Sequence, residues 1–134
     1  MGEGRLMSSI QRPLSGDVLV FSLAEERERA ADATILERSG RNARTLLKEG
    51  PLRATVVVLD AGGVLAEHQA EGPIMVQPLE GRIRFTTSEC EHEIGPGELL
   101  SAGGGVRHSV SSEGGATFLL TVAHPTVPAG GRAD

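Results

Sequence analysis

The sequence predicts an all-β domain, a sandwich or barrel of short strands, on three observations. Turn-formers are abundant, with 18 glycines and 7 prolines among 134 residues. The apolar residues are aliphatic rather than aromatic: Phe21, Phe85 and Phe118 stand alone, without Trp or Tyr. After Gly50, strand-length pieces alternate with turn signals about every 8–12 residues, the spacing of sandwiches and barrels. The chain is long enough for one domain and too short for two.

The elements follow in order. Residues 1–16 are polar and carry Gly2, Gly4, Pro13 and Gly16, which predicts a loose arm. Asp17–Phe21 (DVLVF) reads as a short strand. Ser22 stands three residues before Glu25, a capping-box spacing, and opens a surface helix through LAEERERAADA. Glu25 and Arg29 support that helix as an i,i+4 pair. Ile35 to Lys48 admits two readings. Arg38, Arg41, Arg44 and Lys48 recur at helical spacing as a basic face, or the segment is an edge strand or loop with Arg44 and Lys48 turned outward.

Beyond Gly50-Pro51 come LRATVVVL, VLAEHQA, PIMVQPLEG, RIRFTTSE, the turn-rich ECEHEIGPG, ELLSAGGGVRHSV and the apolar ATFLLTVAHP. The organisation read from this is residues 1–42 as arm, strand and short helix, 43–124 as barrel, and 125–134 as a flexible tail.

Composition limits function. A formal net charge of −5 offers no positive field for phosphates, and three scattered Phe give no platform for stacked bases, so no nucleic-acid partner is expected. No run is long enough to span a bilayer, and the first residues lack the apolar core of a secretion signal. A lone cysteine, Cys90, fits a reducing compartment, and the expected location is cytoplasmic. No phosphate loop or serine-hydrolase elbow occurs.

Chemistry therefore falls to the histidines. His92 lies beside Cys90 in ECEHE, read as an exposed hairpin tip that does not hold a nucleophile and base rigidly. His124 precedes Pro125 at the end of the last strand and reads as superficial. His68 lies six residues after Gly62 on a run that ends at Gly81, and His108 lies eleven after Gly97, behind Gly103–Gly105.

On these residues the chain resembles the cupin superfamily. That family's first motif is G-x5-H-x-H-x3-4-E-x6-G, and here it runs from Gly62 through His68, Ala70 and Ile74 to Gly81. Its second is G-x5-P-x-G-x2-H-x3-N, and here it runs from Gly97 through Gly103, Gly105 and His108 to Ser112. The resemblance covers about residues 43–124 and implies a cupin double-stranded β-helix, a jelly-roll-like barrel. It also implies a metal held inside the barrel by His, His, Glu and His. Here Ala70 and Ile74 replace the second His and the Glu, and neither side chain carries a donor atom.

What the resemblance leaves is two imidazoles facing one cavity. The expected pocket pairs Ala66, His68 and Ala70 on one strand with Val106, His108 and Val110 on another, joined by Ile74 and Val76. The expected function is binding of a small ligand, metal-free or with a weakly held divalent ion such as Zn²⁺ or Ni²⁺ on His68 and His108. Neutral imidazoles can also hydrogen-bond a polar or anionic ligand directly. Two other readings stay open: a metal-dependent dioxygenase or isomerase with a His-only ligand set, and a structural or regulatory dimeric module. Small cupins often pair, so a homodimer is expected, with DVLVF as an added edge strand. Arg53 precedes the TVVVL run, and its facing is left open between a surface position and an inward one that meets a carboxylate.

Overall fold

The computed structural model describes residues 13–125; the expected arm before Pro13 and most of the expected tail lie outside that range. Helix α1, Leu23–Ala30, starts at Ser22, whose hydroxyl accepts from the Glu25 amide at 3.3 Å. Glu25 and Glu26 occupy its first turn and Arg27 and Arg29 its last, the arrangement that suits the helix dipole. Helix α2, Ala33–Ser39, is capped by Asp32, which accepts from the amides of Thr34 and Ile35. Gly40, at φ 77°, ends it. The expected strand at 17–21 does not form: the segment is irregular, with Val18 and Val20 82% and 91% exposed. Its apolar residues are better used at Phe21, which packs with α1 against the sheet.

Among the described residues nine strands follow: β1 Arg41–Glu49, β2 Leu52–Leu59, β3 Gly63–His68, β4 Ile74–Gly81, β5 Ile83–Thr86, β6 Glu91–Ile94, β7 Leu100–Ala102, β8 His108–Ser112 and β9 Ala116–Ala123. They build two antiparallel sheets, one ordered β1-β2-β9-β4-β7 and the other β3-β8-β5-β6. The Ile35–Lys48 segment thus splits into a helix and an edge strand, and the basic helical face does not exist.

Strand alternation explains the core. Val57, Leu59, Ile74, Val76, Phe85, Val110 and Phe118 fill the space between the sheets. Val56 and Val58 point the other way and, with Leu46, are covered by α1 through its Ala30. The VVVL run is continuous because both of its faces are buried. Arg44, expected to face outward into solvent, lies under α1 instead. Its Nε is 2.6 Å from Oε1 of the buried Glu26, which also takes Arg29 at 3.3 Å.

Three bulges tune the facing. Pro78 in β4 stands beside one of them, where the ladder to β9 skips between Pro78 and Glu80. A proline without an N–H is tolerated there because β7 pairs only as far as Val76 on the other side. The bulge in β3 matters most: Leu65 pairs with Val110 and His68 with His108, three steps on β3 against two on β8. Gly62, Gly81, Gly97 and Gly105, the glycines of the two motifs, all take positive φ. At Gly81 a side chain would also collide with the Gly115 carbonyl and the Ala116 backbone, so that position is closed to every other residue.

The barrel has a closed and an open end. β2 leaves at Leu59 and β3 enters at Gly63, so that end is capped by a tight turn. At the other end lie His68 opposite His108, Ile74 opposite both Ala102 and Val122, and Arg53 opposite Val122. Burial along β2 falls from Val56–Leu59 to an exposed Leu52 and Arg53, so the end is open to solvent.

Candidate functional site

His68 and His108 meet at the open end. Their ring centroids are 4.2 Å apart in an edge-to-face arrangement, and Phe85 stacks on His108 at 4.7 Å. The same device orients both rings: Nδ1 of His68 lies 2.8 Å from the Ala66 carbonyl, and Nδ1 of His108 lies 3.0 Å from the Val106 carbonyl. A carbonyl only accepts, so Nδ1–H donates, and each neutral ring keeps Nε2 as a free acceptor. The Gly105 amide donates to the Ala70 carbonyl at 2.8 Å. That bond ties the loop after His68 to the loop before His108.

The walls agree in part with expectation. Ile74, Val76 and Val110 are 4%, 1% and 2% exposed and belong to the inner core, with Ala70 packed against it. Two expected positions do not. Ala66 is exposed, because the β3 bulge reverses facing and gives the inward place to Leu65. Val106 lies two residues before the start of β8, so strand alternation does not reach it, and the residue is 37% exposed. It serves the site through its carbonyl.

His92 departs from its expected place at a hairpin tip. It lies in β6 opposite Phe85 and on the same side of the sheet, yet it is exposed as expected, and only Cys90 stays in the turn. Both line a cleft of about 450 Å³ between the β6 and β7 edges, together with Phe85, Ile94, Leu100 and Val106. The signal is present in E-C-E-H-E-I: glutamates alternate with Cys90, His92 and Ile94, and Glu91 and Glu93 face Arg84 on the outside. Another cleft, of about 490 Å³, runs between β1 and β3 past Ala43, Thr55, Val57 and Leu65 and touches neither His68 nor His108.

Burial pushes the His108 imidazole below its ordinary 6.5; the hydrogen bond to Val106 opposes that shift, and His68 adds to it. The consequence for stability has a definite sign. Below about pH 6.5 the unfolded chain takes up a proton at His108 that the folded ring still refuses, so stability falls as pH drops. It levels once the folded ring titrates. Thermal unfolding from about pH 7.5 to 5.5 should therefore show a larger loss for the wild type than for His108→Gln. Identical profiles would remove His108 as the cause.

A metal centre with three protein ligands does not fit these residues. Ala70 and Ile74 have no donor atoms, and among the described residues no group of three or more His, Cys, Asp and Glu is placed to hold an ion. Nor is any helix among them long and apolar enough to cross a membrane.

No family model and no curated protein matches the sequence. Solved structures do match. A conserved protein of unknown function from Streptococcus pyogenes superposes with a TM-score of 0.65 at 22% identity, over 85% of this chain and 94% of that one. A cupin superfamily protein from Desulfitobacterium hafniense gives 0.61 at 14% identity, over 63% and 78%. An oxalate decarboxylase variant from Bacillus subtilis gives 0.59 at 24%, over 64% of this chain and 26% of that one. Two sheets in this order, the motif glycines in left-handed turns and these superpositions agree: the chain has the fold of the cupin superfamily.

Proposed function

We propose that this chain binds a small ligand at the open end of its barrel, using Nε2 of His68 and His108 as polar anchors, without a tightly held metal. The observation that carries the reading is the pair of rings in contact at 4.2 Å, each with Nδ1 committed to a backbone carbonyl. Apolar walls with two placed ring nitrogens make a usual small-molecule site. The fold does not choose the chemistry, since its neighbours include a named decarboxylase and a protein of unknown function. The lone Cys90 supports a reducing, cytoplasmic setting.

Elemental analysis of untagged protein should find metal well below one ion per chain. A stoichiometry near one, lost in both His68→Ala and His108→Ala, would overturn the reading in favour of a metal-dependent enzyme. That second reading has one observation behind it: metal-bound imidazoles commonly donate their other N–H to a carbonyl, as both rings do here.

A further inference from the structure

Among the described residues, five arginines are matched with a carboxylate: Arg27 with Glu80, Arg29 with Glu25 and Glu26, Arg44 with Glu26, Arg84 with Glu91, and Arg107 with Glu67. Carboxylates are in surplus at a net charge of −5, so partners are not scarce. Arg38, Arg41, Arg82, Lys48 and Arg53 have no such partner among the described residues, and of these only Lys48 and Arg53, on β1 and β2, stand directly opposite one another. Like charges directly opposite one another destabilise a ladder.

Their facing follows from the pairing. β2 runs against β9 without a break, so Arg53 lies on the same face as Thr55, Val57 and Leu59, two of which are inner-core residues. Its partner Val122 packs against that core, and Val122 pairs in turn with Ile74. The bulge between Thr45 and Leu47 brings Lys48 onto the same row as Arg53. The chain therefore places two uncompensated cations on the inward row of one sheet, at the end where the other sheet presents His68 and His108.

We propose that Lys48 and Arg53 are the anion-recognising rim of this site and select a small aliphatic hydroxy acid. The guanidinium takes the carboxylate through paired N–H donors, and the ammonium adds a second charge. The hydroxyl donates to a free imidazole Nε2, and the short carbon body lies against Ile74 and Val122. A carboxylate suits the rim better than a phosphate because the strand amides here are spent in ladders, leaving side chains as the donors. This inference rests on the His68–His108 reading and names its ligand class.

The test uses 3-hydroxybutyrate, its uncharged amide and inorganic phosphate, followed through the imidazole NMR signals of His68 and His108. The acid should move both signals, and its binding should weaken at least about tenfold in Arg53→Gln and clearly in Lys48→Gln. The amide should bind the wild type more weakly than the acid does, and equally in all three proteins. Both substituted positions are exposed, and removing one like charge should not lower the unfolding temperature.

Several results would overturn the assignment: equal binding of acid and amide, acid binding indifferent to both substitutions, acid binding that leaves the histidine signals still, or Arg53-dependent binding of phosphate alone. If the amide moves the signals and the acid gains nothing, the anion rim falls and the histidine site stands. If neither moves them, both fall.

Discussion

Phe85→Ala should lower unfolding stability by about 3–5 kcal/mol, the range for truncating a large buried aromatic. Phe85 is 2% exposed, and its ring joins the inner core while stacking on His108 at 4.7 Å. The loss has two parts, the hydrophobic transfer of the ring and the cavity it leaves between the sheets. Such a cost is a large share of the roughly 5–15 kcal/mol that holds an ordinary domain together. Chemical denaturation, read by far-ultraviolet circular dichroism because the chain lacks Trp and Tyr, measures it. A companion Phe85→Leu separates the parts. It keeps most of the apolar volume and should cost under about 1.5 kcal/mol, while removing the flat face on which His108 rests. The His108 NMR signal should then change although the fold persists. A Phe85→Ala loss below about 1 kcal/mol would mean that the space between the sheets collapses freely, contrary to close packing.

Glu26→Ala should be comparably severe, at about 3–5 kcal/mol, the cost of breaking a buried ion pair from one side. The Glu26 side chain is 4% exposed and bridges Arg44 on β1 and Arg29 on its own helix. Removing it takes this carboxylate from Arg44, whose side chain is 23% exposed. Replacing both Glu26 and Arg44 with apolar residues of similar volume, as in Glu26→Met with Arg44→Met, should restore much of the loss, because neither charge is then stranded. Additive losses in the double variant would show that the two side chains act independently.

How much of this is legible in the sequence depends on whether a residue's role is fixed by its near neighbours in the chain. The barrel is legible because its turns demand glycine at set intervals, and Gly62, Gly81, Gly97 and Gly105 stand at those intervals with positive φ. Helix α1 is legible from Ser22 and Glu25, a purely local cap. The role of Glu26 is not, since its partner Arg44 is 18 residues away and reaches it only after β1 folds under the helix. Arg53 is ambiguous for a related reason. Alternation gives relative facing along a strand, and only the pairing with β9 tells which face is inner. His92 is the instructive case, because the alternating glutamates around it carry the answer while the polarity of the segment argues for a turn.

The bulge in β3 has one more consequence. Since facing reverses with every residue of a strand, His68 meets His108 only because β3 spends one residue more than β8 between their two shared pairings. The site is thus written in the length of a segment as well as in its letters. Deleting a residue from Ala66–Glu67 would straighten β3 to two steps against two and leave the histidine opposite His108, whereas losing the bulge with both residues kept would turn Leu65 or His68 outward. Within this fold, a bulge lets two side chains at an odd spacing face the same pocket, so strict alternation along the sequence does not decide which residues meet.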